Sequence, residues 1–294
     1  MNVISIMRIL LIAITVLTSA IIIVDCMKHK DELKGASIGK WITLAIIGFV
    51  TNFFDTWGIG SFAPTQASFK FTKTSPDETV PGTLNVGDTL PVSVEAILFL
   101  SYVDIDPLTL VLMLASATLG AFIGAGIVSK WNLKTVRYVM AAFLVICAFV
   151  TIARTADFGP FADVSSGTVT TLRGIKLVIG VVGNFFLGAF MMVGLGLYSP
   201  CIALVCMLGM NTTTAFPIMM GSCAFLMNVS VFKFVKEGKY DRRATLCLMF
   251  AGAVGAYAAY LLIAYCFNLD TLTYIVCFVM FLTAGLYIKD AKKA

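Results

Sequence analysis

The heptapeptide Gly58-Ile59-Gly60-Ser61-Phe62-Ala63-Pro64 lies inside an apolar stretch that runs from Trp41 to Phe69. Glycine and proline are the residues least compatible with a helix interior. The stretch therefore reads as two helical pieces joined by a turn and not as one rod. A second interruption, Gly194-Leu195-Gly196 followed by Pro200, falls in the apolar stretch Leu177 to Leu208. Gly58 and Gly194, Gly60 and Gly196, and Pro64 and Pro200 all stand 136 positions apart, so the pattern G-x-G-x-x-x-P occurs twice.

The composition says what surrounds these breaks. Of 294 residues, 59% are hydrophobic and 13% charged, with a mean hydropathy of +0.95. A soluble domain carries about 25% charged residues, so an ordinary globular protein and a disordered one are both excluded. The 21 basic residues exceed the 16 acidic ones by too little to imply nucleic acid as a partner. Eight cysteines lie mostly in apolar runs without a C-x-x-C pair and read as small apolar filler. His29 is the single histidine, which argues against a His-based metal site or triad, and no Walker motif is present. Neither a metal nor a cofactor is expected.

Nine apolar segments follow one another: Ile9 to Val24, Trp41 to Phe69, Pro81 to Tyr102, Pro107 to Ser129, Tyr138 to Ala153, Leu177 to Leu208, Thr212 to Phe232, Ala244 to Asn268 and Thr271 to Ile288. A span needs roughly 20 apolar residues, and the segments lack the alternation of barrel strands, so they read as helices. The first is expected to be a retained span because Asp25 and a basic run follow it where a cleavage site would stand. Basic clusters at Lys28 to Lys40, Lys130 to Arg137, Lys233 to Arg243 and the C-terminus mark the cytoplasmic side, and Asp104 with Asp106, Arg154 to Arg173 and Asp270 the external one. The expected location is the cell membrane, with the N-terminus external and the C-terminus cytoplasmic.

These signs impose a count. Between Lys40 and Asp104 the chain must cross an odd number of times, yet two apolar segments intervene, so one returns to the side it left. The glycine-broken segment is the natural hairpin, and the same reasoning applies from Arg173 to Lys233. The fold expected is an all-α polytopic membrane protein of about seven full spans plus two glycine-broken hairpins entering from opposite sides, arranged as inverted-topology repeats. Residues 1–40 supply the first span and basic loop, 41–155 the first repeat, 156–174 an external connector and 175–294 the second repeat.

Inverted repeats with broken helices at matched places point to a transporter's substrate site. A break leaves backbone N–H groups unpaired at a depth without water, where each costs several kcal/mol. The N-terminus of a half-helix also carries partial positive charge, which favours an anion, and glycine lets a ligand approach the backbone.

On these residues the chain resembles the TauE/SafE sulfite exporter family, also called the sulfonate-uptake permease family. The resemblance covers about Ile42 to Leu286. It rests on Gly58 to Pro64, on Val103-Asp104, on the small-residue run Leu119 to Ala125, and on Glu237-Gly238-Lys239-Tyr240-Asp241. It implies transport of small sulfur-containing anions such as sulfite or organosulfonates. Many members carry three consecutive glycines at the break where this chain has G-x-G-S and G-x-G-L, a departure that bears on the substrate.

Candidate substrate-binding residues are Gly58, Gly60, Ser61, Pro64, Thr65 and Gln66 at the first break, Gly194, Gly196, Ser199 and Pro200 at the second, and Asn85, Thr89, Thr213 and Ser222 on the spans that follow. Their hydroxyls and amides can donate to an oxyanion without the desolvation cost of a buried lysine. Asp55, Asp88 and Glu95 are the intramembrane carboxylates and thus proton-coupling candidates. The expected partners are the lipid bilayer and a small anion, and a homo-oligomer is compatible with the sequence. A passive anion channel or a carrier of a small carboxylate is the rival reading. An intramembrane enzyme is disfavoured by the absence of H-E-x-x-H and G-x-S-x-G.

Overall fold

The computed structural model describes residues 2–124, 131–155, 169–192, 195–210, 212–266 and 269–293. Among them the chain is all-helical, and eight helices are long and apolar enough to cross a membrane. Gly194 and most of the connector, 156–168, lie outside the described residues.

The chain begins with α1 (Val3–Lys28), whose N-cap Asn2 accepts from the Ser5 N–H at 2.8 Å. The first half then runs α2 (Ile38–Asp55), α3 (Phe62–Thr72), α4 (Val80–Gly87), α5 (Thr89–Tyr102), α6 (Pro107–Leu119), extended by a π-turn over Gly120–Gly124, and α7 (Leu133–Thr155). The second half runs α8 (Gly174–Met192), α9 (Tyr198–Met207), α10 (Thr212–Glu237), α11 (Arg242–Cys266) and α12 (Leu269–Lys293). The halves match helix by helix: α2 and α8, α3 and α9, and α7 and α12 each start 136 positions apart, and α6 and α11 start 135 apart.

Both broken segments are hairpins. Lys70 and Lys73 at the end of α3 border the same cavity as Lys40 at the start of α2, so the chain returns to the end it left. In the second hairpin Leu208 beyond α9 lies beside Gly180 near the start of α8, and Gly209 beside Lys176. The full crossings are then α1, α4 with α5, α6 with its π-turn, α7, α10, α11 and α12, which leaves α2 and α8 as hairpin arms.

Small residues set how these helices meet. The first arm of each hairpin packs along a span of the other half, α2 on α11 and α8 on α6. A Cβ on Gly255 would stand 2.3 Å from the Phe49 carbonyl oxygen, and one on Gly188 only 2.0 Å from that of Ala117. Backbone thus touches backbone, which side chains on these glycines would prevent. Both pairs run parallel, but from opposite ends. The α2–α11 pair starts at the end that holds Arg242, Arg243 and Glu32, whereas the α6–α8 pair starts where Arg173 meets Asp106. The span α4–α5 joins these ends, since a Cβ on Gly82 would meet the Lys239 carbonyl while Val103 leads into the Asp106 cap. The hairpins consequently enter from opposite ends.

The span expected as one helix from Pro81 is divided at Asp88. Pro91 has no N–H to give the Gly87 carbonyl, and this lost bond bends the helix there. Helix α1 stands outside the repeat. Its Thr18 hydroxyl donates to Asn228 Oδ1 at 2.5 Å, and Asn228 Nδ2 donates to Ser93 Oγ at 3.0 Å, which ties α1, α10 and α5 together. At its end, Asp25 takes Arg242 Nε at 2.7 Å and the Tyr240 hydroxyl.

Candidate functional site

The two breaks meet inside the protein. After Asp55 the chain makes one more turn, with the Gly58 N–H donating to the Asp55 carbonyl at 2.7 Å, and then leaves helical geometry. Gly58 and Gly60 adopt φ of +90° and +87°, a region that L-residues with a Cβ avoid. A Cβ on Gly58 would also lie 2.9 Å from Ile202 Cδ1 of the opposing hairpin. Ser199 Oγ donates to the Gly58 carbonyl at 3.2 Å, so the second tip satisfies an acceptor freed by the first. The Tyr287 hydroxyl donates to the Gly196 carbonyl at 3.0 Å, doing the same for the second break.

Two cavities open on this junction. One of about 20 Å³, room for about one water, is lined by Asp55, Gly60, Ser61, Gly196, Tyr198 and Met227 among others. A second of about 40 Å³ touches Gly60, Gln66, Gly196, Ser199 and Pro200 and is bordered by Arg137 and Asp290. Both are too small for an organic anion.

The carboxylates Asp55, Asp88 and Glu95 are all buried around the first break. Asp55 Oδ1 accepts from the Ser61 backbone N–H at 2.7 Å, while Asp55 Oδ2 has no partner. Asp88 accepts from Asn52 Nδ2 on one oxygen and from Ser61 Oγ on the other, both at 3.1 Å. Glu95 accepts from Thr56 Oγ1 at 2.8 Å and from the Tyr198 hydroxyl at 2.7 Å. Among the described residues no lysine, arginine or histidine forms an ion pair with any of the three. Negative charge buried in a low-dielectric interior is costly without such compensation. The described residues contain no group of histidine, cysteine, aspartate and glutamate arranged to hold a metal.

The residues expected at the site fall into two sets. Gly58, Gly60, Ser61, Gln66, Gly196, Ser199 and Pro200 gather at the junction with Asp55, and Asp88 and Glu95 stand one hydrogen bond behind it. Thr65 is buried beneath the first tip with an unpartnered hydroxyl. Asn85 bonds to the Pro81 carbonyl within α4, Thr89 bonds from α5 to the Asn85 carbonyl in α4, and both border neither cavity. Ser222 accepts from Asn184 in the α8–α10 packing, and Thr213 and Pro64 likewise border neither cavity.

The half-helix N-termini are not alike. The expected anion-binding end at Ser61 already has one N–H committed to Asp55, whereas Leu197, the N-cap of α9, supplies no side-chain cap. Tyr198, Asn52, Thr56 and Arg137 are site residues that the sequence did not single out. Tyr198 had a signal, since it stands within the second break where the first carries Phe62. Asn52 and Thr56 are ordinary members of an apolar helix and show their role only through contact. No family model, curated protein or solved structure matches the chain.

Proposed function

We propose that the protein is a secondary transporter that carries a small anion between the two hairpin tips and couples its movement to protonation of the buried carboxylates. One observation carries the reading: two interrupted helices from opposite ends meet at a small cavity where a buried carboxylate oxygen, Asp55 Oδ2, has no partner. A protonated Asp55 would offer that oxygen as a hydrogen-bond donor to an oxyanion, and an ionised one would repel it. Asp88 and Glu95 have both oxygens filled by side-chain donors, which suits them to hold the tips in register.

The substrate is a sulfur oxyanion or an organosulfonate, on the strength of the resemblance to the TauE/SafE exporters. Arg137 at the mouth of the second cavity suits such a guest. The positive-inside rule applied to the basic loops supports a cytoplasmic C-terminus, and a location in the cell membrane goes with this reading. Purified protein should be stabilised against heat by sulfite or an alkyl sulfonate, by about 2.7 kcal/mol at 100 times the dissociation constant. Stabilisation by carboxylates alone would move the substrate class to small carboxylates. In proteoliposomes the substrate should move protons with it; anion flux without proton flux would make the protein a channel.

A further inference from the structure

Two hydrogen bonds hold the second hairpin tip against α12. The Tyr287 hydroxyl donates to the Gly196 carbonyl at 3.0 Å, and the Thr283 and Ser199 hydroxyls share a bond of 3.1 Å. Thr283 and Tyr287 are one helical turn apart, so they lie on one face of α12, and both are buried. That face, together with Leu286, forms one wall of the cavity of about 40 Å³, and Phe62, Ala63 and Gln66 of α3 form another.

The cavity points toward one end of the bundle. Helix α3 runs from the first tip back to Lys73, and α12 follows α11 back to the end that holds Arg242. Arg137 at the start of α7 and Asp290 near the end of α12 border the cavity on that side, where Arg137 Nη1 donates to the Asp290 carbonyl at 3.4 Å. Gln66 is exposed, and Arg137 and Asp290 are half-buried, so the wall there is thin. Gly60, Phe62, Gly196 and Tyr198 border this cavity and also the one that holds Asp55, which makes the two neighbours.

Toward the opposite end, where Asp106 lies, the packing is thick. Phe99 follows Glu95 by one turn on α5, and its ring stacks on Phe216 at 5.1 Å between centroids and meets Tyr260 edge-on at 5.5 Å. Phe99 and Phe216 are fully buried. Such an aromatic contact yields only when several close-packed side chains move together, whereas the tip is held to α12 by single hydrogen bonds.

We propose that the guest reaches the site from the end of the bundle that carries the C-terminus, between α3 and α12, and that Tyr287 is the gate on this route. Its bond to Gly196 keeps the second tip over the passage, and release of that bond opens the cavity toward Arg137. The proposal rests on the transporter reading and adds to it the route and the residue that controls it. Tyr287 acts by positioning the second tip, so loss of its hydroxyl should shift the balance between shut and open about fivefold.

The test measures how fast a cysteine in the cavity wall reacts with sulfonatoethyl methanethiosulfonate, a membrane-impermeant reagent that is itself a small organosulfonate. It uses inside-out and right-side-out membrane vesicles, with the C-terminus located by protease access to a tag and the parent chain as blank. Leu286→Cys should react from the side on which the C-terminus lies and not from the other. Adding Tyr287→Phe, which keeps the ring and removes the hydroxyl, should raise that rate about fivefold, and Thr283→Val should raise it in the same sense. Leu208→Cys, beyond α9 at the other end, should be unaffected by either. Acceleration at both cysteines would mean a loosened fold and would overturn the gate, as would an unchanged rate at Leu286→Cys, or reaction there from the opposite side or from neither. The readout needs no transported substrate. Proton-coupled flux without side-specific reaction would sink the route and leave the transporter standing, and side-specific reaction without flux would keep the route and remove the carrier.

Discussion

At the scale of single residues, the three carboxylates are distinguished by how completely they are bonded. Of the three, Asp55 alone keeps an oxygen without a partner, and it borders the junction cavity together with Tyr198 from α9. Asp55→Asn retains an acceptor for the Ser61 N–H and offers a permanent donor in place of the titrating oxygen. Substrate exchange across liposomes should therefore survive while uptake driven by an acid gradient falls at least tenfold. Undiminished gradient-driven uptake would remove Asp55 from the coupling step. Outside the membrane, Asp106 is a second well-defined carboxylate. Its bond from Arg173 Nη2 at 2.8 Å, with the N-cap bonds to Thr109, holds its carboxyl well below the usual range. A lowered value means that its stabilisation is complete above the ordinary aspartate pKa of about 3.9 and fades as pH falls below that. Asp106→Ala should cost about 1 kcal/mol through the lost cap at neutral pH. The difference from wild type, read as melting temperature, should shrink progressively below about pH 4.

At the scale of elements, matched positions in the two breaks turn out to have different physical reasons. Gly58 has a positive φ and a side-chain atom of Ile202 at 2.9 Å from where a Cβ would stand, so Gly58→Ala should destabilise the fold by about 1–3 kcal/mol. Gly196 has neither constraint, since a Cβ there meets nothing within 4 Å. Gly196→Ala should leave the melting temperature within about 0.5 kcal/mol of wild type and yet reduce transport, because the methyl group would point into space left for the guest. Full activity in that variant would show the space to be unused. The Pro91 bend is the third element-scale feature. It places Asp88 within 3.1 Å of both Ser61 and Asn52, from α2 and the first break. Pro91→Ala restores a helix hydrogen bond to the Gly87 carbonyl and should slow or abolish transport without loss of thermal stability. Unchanged uptake rates would make the bend incidental.

At the scale of the whole molecule, the repeat is symmetric in its helices and asymmetric in its chemistry. The positions equivalent to Asp55, Asp88 and Glu95, 136 residues further on, hold Met191, Ala224 and Val231. The first half thus carries every buried acid of the site, and the second contributes Tyr198 and Ser199. The hairpin arrangement has a direct topological test. Cysteines placed at Lys40 and Lys73 should be labelled by an impermeant maleimide from one side of the membrane, and those at Asp104 and Lys176 from the other. Of the eight native cysteines, the seven whose side chains are described are buried, which keeps their background low, and Cys266 is replaced by serine for the experiment. Labelling of positions 40 and 73 from opposite sides would turn the first hairpin into a pair of crossings.

The sequence by itself determined the class of the protein, the two glycine-broken hairpins and the inverted order of the halves, because apolar length, glycine, proline and loop charge act locally or by simple count, whereas the division at Asp88 came only with the structure. It also named Asp55, Asp88 and Glu95, since a carboxylate in an apolar run is conspicuous. What it could not supply was the set of partners. That Tyr198 reaches Glu95 across 103 residues, that Ser199 closes on Gly58, and that Asn85 and Ser222 serve helix packing away from the tips depend on which faces of distant helices meet. Such meetings are fixed by backbone contacts at Gly188 and Gly255 and by the bend at Pro91, and no local pattern encodes them.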